Sequence, residues 1–247
     1  MEHLKEASLL YREPALYAQM TDADAIDRAA AIIALAAVHG PSGAKSVLDL
    51  GCGTGAVLEQ LACTYSDQAG VDLLPGMIDI AKKHRPELDL RVGDMRTVRL
   101  GRSFDVVICV GNALAYLIEP EDVQAAFATF AEHCVPGGLL IIQTPTVYPP
   151  LDRNRNAKAE VSGRHAGVVI RYTRDPRDET FTMTRHWNFE DGERTTDVVR
   201  RRVLSIEEQA VFANSVGFTH VWRSTRDGVT VFHREGVGGP GTGAASG

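Results

Sequence analysis

Short apolar runs and amphipathic stretches alternate along the first 144 residues. Val47-Leu48-Asp49-Leu50, Gln68-Ala69-Gly70-Val71-Asp72, Leu88–Val92, Phe104–Val110 and Leu139–Thr144 are short and rich in Val, Ile and Leu. Runs of that kind predict strands buried on both faces. The stretches between them read as helices. Ala56 begins one that runs to about Tyr65, Pro75 opens one that closes before Arg85-Pro86, and Pro120 opens one with Val123, Ala126, Phe127 and Phe130 on a single face, ended by Pro136-Gly137-Gly138. Upstream, Ile26, Ala29, Ala30, Ile33, Leu35 and Ala37 mark a helix that Thr21 or Asp22 can cap and Gly40-Pro41 stops. This order predicts an α/β fold with a doubly wound, mostly parallel seven-stranded sheet.

Residues 1–20 form an amphipathic segment with Leu9, Leu10, Tyr11, Leu16, Tyr17 and Met20, expected to join a helical cap over residues 1–46. After the fifth strand the pattern changes. Pro145, Pro149 and Pro150 interrupt it, and Val168–Arg174, Thr180–Phe189 and Arg194–Val203 then alternate apolar and polar residues about turns at Asp175-Pro176 and Asp191-Gly192. That period predicts a small antiparallel β-insertion over 145–203, a substrate lid or a dimer contact. Ser205 and Glu208 form a capping box for a helix ending at Val216-Gly217, and Phe218–Arg223 with Val229–His233 make a closing hairpin. The main domain is thus expected over 47–144 and 204–235. The glycine-rich residues 236–247 are expected to be disordered.

Composition narrows the function. A net charge of −6, with 44% hydrophobic and 23% charged residues, is ordinary for a globular protein and gives no global surface for nucleic acid or membrane. The charged start MEHLKEASLL has no signal-peptide core, so a cytoplasmic location is expected. Cys52, Cys63, Cys109 and Cys134 lack metal-ligand spacing, and no metal site is expected.

The chemistry gathers at the ends of the strands. Gly51, Gly53 and Gly55 follow the first strand directly and precede a helix, so the backbone can turn sharply and let a ligand approach with no Cβ in the way. Gly51-x-Gly53-x-x-Ala56 also satisfies a dinucleotide-binding pattern. Asp49, inside the strand end, would repel a pyrophosphate. Asp72 ends the second strand 17 residues past Gly55, placed to hold both hydroxyls of a ribose or to cap the next helix. Gly93-Asp94-Met95 follows the third strand, where Asp94 is either a ligand contact or a turn residue. Val110 and the loop Gly111–Leu117, which holds Tyr116, follow the fourth.

The series Asp49-x-Gly51-x-Gly53-x-Gly55, Asp72, Gly93-Asp94-Met95, Phe104-Asp105-Val106-Val107 and Pro136-Gly137-Gly138 resembles the class I S-adenosylmethionine-dependent methyltransferases, whose fold is Rossmann-like. Tyr11-x₅-Tyr17, GDMRTVRLGRSFDVV, FAEHCVPGG and the β-insertion are similar to a branch of small-molecule N-methyltransferases acting on amino sugars, natural-product amines, and glycine or sarcosine. The resemblance implies S-adenosylmethionine as methyl donor and S-adenosylhomocysteine as product. It implies a donor site of Tyr17, Asp49, Gly51, Cys52, Gly53, Gly55, Asp72, Leu73, Met77, Asp94, Met95 and Val110, with Leu74 beside the adenine. In that site Asp49 faces the donor's ammonium, Asp72 the ribose and Asp94 the adenine amine. Tyr11, Tyr17 and Tyr116 are the candidate catalytic residues. The expected partner is a small-molecule amine, with no nucleic acid and no membrane, and a homodimer is left open. The loop Gly111-Asn112-Ala113-Leu114 lacks the Asn-Pro-Pro-aromatic motif of amino-methylating DNA enzymes. Two alternatives remain: an O-methyltransferase using His165 or His186 as base, and a silent donor-binding subunit. A nicotinamide-dependent oxidoreductase is disfavoured by Asp49 and Gly93-Asp94-Met95.

Overall fold

The computed structural model describes residues 8–151, 154–161, 163–174 and 178–236. Two short helices come first, α1 (Leu9–Arg12) and α2 (Pro14–Thr21), followed by α3 (Ala25–His39). Then β1 (Ser46–Leu50), α4 (Ala56–Leu61), β2 (Asp67–Asp72), α5 (Pro75–His84), β3 (Asp89–Val92), β4 (Phe104–Cys109), α6 (Pro120–His133) and β5 (Cys134–Gln143) alternate as the apolar periodicity requires. The insertion holds β6 (Arg155–Val161), β7 (Arg164–Arg174), β8 (Thr180–Phe189) and β9 (Arg194–Arg202), and α7 (Ile206–Ser215), β10 (Phe218–Ser224) and β11 (Val229–Arg234) close the chain.

The larger sheet has the order β10-β11-β5-β4-β1-β2-β3. β1 pairs in parallel with both β2 and β4, so the chain leaves β1 in one direction and returns on its other side. That reversal opens a crevice beyond the carboxyl ends of β1 and β4, where open α/β sheets bind ligands. Only β11 runs opposite to the other six strands, pairing antiparallel with both β5 and β10. One face of the sheet is covered by α3, α4 and α5 around Ile32, Leu58, Leu61 and Ile78, the other by α6 and α7 around Phe127, Phe130, Phe218 and Phe232.

Several details differ from the sequence reading. β6 was not expected, because RNAKAEV offers only small apolar residues; Ala157 and Ala159 nevertheless pack inward. α4 stops at Leu61, short of Tyr65. Pro136-Gly137-Gly138 lies inside the assigned β5, at an irregularity in its pairing with β4. Asp24, not Asp22, stands at the N-cap of α3, and the Thr21 side chain lies outside the described residues. Asp22 instead accepts from Arg85 at 3.2 Å and from Thr54 at 3.2 Å, while Arg85 also bonds Glu59 and the Thr54 carbonyl. Arg85 thereby ties the N-terminal segment to the glycine turn. The capping box of Ser205 and Glu208 forms in full. Residues 237–247, nearly all of the expected disordered tail, lie outside the described residues.

The four insertion strands make a separate antiparallel sheet of order β6-β7-β8-β9. Its inner face, with Val168, Ile170, Met183, Trp187 and Val199, packs on Leu10 and Leu16 of α1 and α2. The two segments that the sequence separated as cap and insertion therefore share one core. A buried ion pair fastens them. Arg185 and Asp197 meet at 2.7 Å with side chains 5% and 2% exposed. Asp197 also accepts from the Leu9 N–H at 2.8 Å and the Trp187 indole at 3.3 Å, and Arg185 donates to Ser8 Oγ at 2.6 Å. Removing one partner strands the other charge in an apolar interior. Asp197→Ala is expected to cost about 3–5 kcal/mol in urea unfolding. A loss below about 1 kcal/mol, the usual worth of an exposed pair, would show that the pair does not hold the two segments together.

Candidate active site

A cleft of about 700 Å³ lies beyond the carboxyl ends of the parallel strands. Each strand end contributes one wall. Gly51 and Gly53 follow β1; Asp72, Leu73 and Leu74 follow β2, with Met77 behind them on α5. Gly93 and Met95 follow β3, and Val110, Gly111 and Ala113 follow β4. Tyr11 from α1, Tyr17 from α2 and Tyr116 from the loop after β4 form the remaining side. Segments far apart in sequence thus meet around one space.

The glycines at β1 are required by the backbone. Gly51 and Gly53 have φ of 92° and 55°, in the left-handed region. A Cβ on Gly51 would collide with the Ala113 side chain, and one on Gly53 would lie 3.1 Å from the Tyr17 ring. Tyr17 therefore rests on the turn. Gly55, also left-handed, starts α4 and faces Leu88 and Leu90 rather than the cleft. Asn112, with φ of 66°, is the one non-glycine residue with positive φ among the described residues. This strained backbone sits at the mouth of the cleft, where the Asn112 N–H donates to the Gln143 carbonyl at 3.1 Å.

Two carboxylates answer different needs. Asp72 accepts from the Gly53 N–H through one oxygen and the Leu74 N–H through the other, both at 2.9 Å. Each oxygen keeps a lone-pair direction for a further donor, such as a ribose hydroxyl. Helix α5 has Leu74 at its N-cap position and no side-chain cap, so Asp72 fixes the turn rather than capping the helix. Asp49 is only 1% exposed, beneath the turn, and its Oδ1 has no hydrogen-bond partner. Burial, and then the charge of Asp72, push its carboxyl up to about 8. An orphaned buried oxygen of this kind fits a cationic donor such as an ammonium.

The remaining sequence candidates are placed as follows. Gly51, Gly53, Asp72, Leu73, Met77, Met95, Val110 and the three tyrosines line the cleft together. Cys52, Gly55, Asp49 and Asp94 do not. The Cys52 side chain is buried away from the wall, near Gly70, and burial raises its thiol well above the ordinary range, so it is unreactive. Asp94 is gripped by Arg96: the guanidinium reaches Oδ2 at 2.6 Å and the Arg96 N–H reaches Oδ1 at 2.9 Å. Burial would raise the Asp94 carboxyl, but those bonds hold it below its usual value. Asp94 thus orders the turn, and Gly93 and Met95 face the cleft in its stead. His165 and His186 stand at outward positions of β7 and β8, alternating with the buried Ala166, Arg185 and Trp187. No histidine lines the cleft among the described residues, which removes the base required by the O-methylation alternative.

Gly93, Gly111, Ala113 and Leu117 line the cleft as parts of the turn and loop that the sequence placed at the strand ends, though none was singled out, since they bring backbone and apolar groups without recognisable chemistry. Sequence reading missed Arg201, whose Nη2 donates to the Tyr116 hydroxyl at 2.7 Å. The signal was present in Arg200-Arg201-Arg202: in a strand, the middle residue must face opposite to its neighbours.

The Tyr11 and Tyr116 hydroxyls are hydrogen-bonded, and the Tyr11 ring centroid lies 6.1 Å from that of Tyr17 and 5.7 Å from that of Tyr116. Burial raises Tyr11 and Tyr17 well above the ordinary phenol value, with Tyr116 adding to the first and Asp72 to the second. Both therefore stay neutral at physiological pH and serve as hydrogen-bonding walls rather than bases.

Asp49 sets a pH dependence. Its folded value of about 8 exceeds the unfolded value near 4, so the folded chain holds this proton more tightly across that window and stability falls as pH rises through it. Asp49→Asn removes the loss. Denaturant unfolding is expected to show the variant gaining on wild type between about pH 5 and about pH 9; a pH-independent difference would contradict a neutral buried carboxyl. Asp72→Ala is expected to weaken S-adenosylhomocysteine binding by about 1–3 kcal/mol in calorimetry, the worth of a charge-assisted hydrogen-bonding group. Unchanged affinity would remove Asp72 from the site.

Comparison with known proteins agrees with this geometry. The methyltransferase domain family matches residues 47–138. A dTDP-3-amino-3,4,6-trideoxy-alpha-D-glucopyranose N,N-dimethyltransferase from Streptomyces venezuelae is 36% identical over 149 residues, 60% of this chain and 62% of the relative. The matched stretch thus spans about six-tenths of that curated relative's length. The crystal structure of Streptomyces venezuelae DesVI superposes with a TM-score of 0.76 at 27% identity, covering 85% of this chain and 92% of that one. An S-adenosylmethionine-bound amino pentose methyltransferase from Micromonospora echinaspora superposes with a TM-score of 0.76 at 28% identity, covering 85% and 91%. Motif order, sheet topology, the cleft and these likenesses make the chain similar to the S-adenosylmethionine-dependent methyltransferases, the sugar N-methyltransferases named above among them.

Proposed function

We propose that this protein transfers a methyl group from S-adenosylmethionine to the amine nitrogen of a small molecule, of the amino-sugar or natural-product class on which its named relatives act. The observation that carries this reading is the wall opposite the strand ends: three tyrosines, two of them held neutral by burial, and no histidine among the lining residues. An amine in its neutral form is already a nucleophile and needs alignment and a hydrogen-bond acceptor, not a strong base. A phenol or alcohol acceptor would need its proton removed before attack.

When bound, the donor supplies a methyl carbon on a positively charged sulfur, activated for in-line displacement without a metal. The chain's residues bind, orient and exclude water. Asp49 receives the ammonium from beneath the glycine turn, Asp72 receives the ribose hydroxyls, and Leu73, Leu74, Met77 and Met95 enclose the adenine. Tyr17 presses on the turn at Gly53, which holds the donor's amino-acid end. The Tyr11 and Tyr17 oxygens accept the acceptor's N–H bonds and direct its lone pair, and the three rings keep water from the reacting centre. The rings also suit a transient positive charge by cation–π attraction.

Among the described residues no helix is long and apolar enough to cross a membrane. The acceptor is expected to be a small molecule, since the cleft is enclosed on one side by the tyrosine wall.

The test is calorimetric titration with S-adenosylhomocysteine and NADH, followed by methyl transfer from labelled donor to a panel of amines and matched alcohols. Tight binding of the first ligand alone, and labelling of amines alone, is expected. Binding of NADH alone, or labelling of alcohols alone, would overturn the reading. Tyr17→Phe is expected to lower turnover about tenfold or more with the fold intact; full turnover would remove the hydroxyl from the mechanism.

A further inference from the structure

The inner side of the insertion sheet carries two arginines, Arg185 buried and Arg201 half-buried with its Nε enclosed, and among the described residues only Arg185 has a carboxylate beside it. Arg185 is neutralised by Asp197 at 2.7 Å. Arg201 stands on β9 two and four residues beyond Val199 and Asp197, on the same side of the strand. Its sequence neighbours point the other way and are both paired, Arg200 with Asp178 and Arg202 with Glu179 at 2.7 Å and Glu208 at 3.0 Å. Arg201 forms no ion pair with any described carboxylate. Its Nη2 donates to the Tyr116 hydroxyl, its Cζ lies 4.8 Å from the Tyr116 ring centroid, and its Nε is buried with no partner.

A guanidinium does not lose its proton in a protein. A half-buried one whose Nε is enclosed and unpaired is unfavourable without a counterion, and two weak partners, a phenol oxygen and a ring face, do not neutralise it. Such a charge is retained when something that binds there supplies the opposite sign. The position supports this. Tyr116 and Tyr11, whose hydroxyls are linked, line the cleft, and Arg201 sits at the hydroxyl end of that pair.

We propose that Arg201 is the docking point for an anionic group, a carboxylate or a phosphate ester, carried by the methyl acceptor. The acceptor is then zwitterionic, with its amine at the tyrosine wall and its anion on the guanidinium. This rests on the methyl-transfer reading above and adds a charge requirement to it. It makes Arg201 a specificity-determining residue. The fork of the guanidinium suits either planar carboxylate or phosphate oxygens.

The test is thermal unfolding of the S-adenosylhomocysteine-saturated protein in potassium chloride, acetate and phosphate at matched ionic strength. Acetate or phosphate at about 50 mM is expected to raise the wild-type Tm by a few degrees over chloride, as selective binding to the folded state requires. The stronger anion identifies the group, carboxylate or phosphate ester. In Arg201→Met the anion-specific rise is expected to vanish, and its Tm in chloride to equal or exceed that of wild type, because a half-buried charge without a counterion has been removed. Arg201→Lys, which keeps the charge without the fork, is expected to show a reduced rise. No anion-specific rise in wild type, an equal rise in Arg201→Met, or a large drop in the Tm of Arg201→Met in chloride would each overturn the proposal. The last would show Arg201 to be a structural residue. Calorimetry with S-adenosylhomocysteine on wild type and Arg201→Met is read separately: equal affinities are expected, and failure of the wild type to bind would overturn the donor site rather than the anion site.

Discussion

Asp197 decides where the tyrosine-bearing half of the cleft lies. It is a single carboxylate, almost wholly enclosed, that accepts from Arg185, from the Trp187 indole and from the backbone of Leu9. Through it the first helices are bound to the inner face of the insertion sheet. Leu10 and Leu16 then bury against Val168, Met183 and Trp187, and Tyr11 and Tyr17 are delivered to the mouth of the parallel sheet. Apolar burial supplies most of the attraction, but it is not directional. The charged hydrogen bonds at Asp197 fix which way the helices face.

The cleft is consequently made of two halves built by different rules. The strand-end half is generated by the winding of the sheet. Parallel strands with helical crossovers must place their carboxyl ends on one edge, and the reversal at β1 and β4 opens that edge. Glycines at 51 and 53 leave the backbone open to the cleft, Asp72 lines it, and Asp49 lies buried beneath the turn. The tyrosine half is generated by long-range packing of residues 8–21 and 116 on β7, β8 and β9. Its chemistry is nearly neutral apart from Arg201. A site of this kind acts through position, hydrogen bonding and dryness.

Two arginines on one sheet face, Arg185 buried and Arg201 half-buried, illustrate how pairing separates structure from function. Arg185 has its counterion within the fold and serves the architecture. Arg201 has none among the described residues, and its guanidinium reaches the hydroxyl of a cleft residue. Asp94 and Asp49 make the same contrast in acids. Asp94 is neutralised by Arg96 and orders a turn, whereas Asp49 keeps an oxygen without a partner beneath the glycines.

The sequence by itself determined the sheet and the strand-end half of the cleft. Apolar run length, Pro and Gly punctuation and strand-end acids are local features, and parallel winding turns their order into positions. Gly51, Gly53, Asp72 and Met95 could be placed along the chain for that reason. The tertiary structure alone decided the rest. The polar strand β6 exists because a neighbour completes its pairing, not because of its own pattern. Asp94 is absent from the lining of the cleft and is held by Arg96, two residues on, a pairing that its position at a strand end did not announce. His165 and His186 fell on the outer side through strand register, which one residue of slip would reverse. Tyr11, Tyr116 and Arg201 come together across separations of 105 and 85 residues. No local pattern encodes such a meeting, because it arises from which apolar faces bury one another and which buried charges find partners.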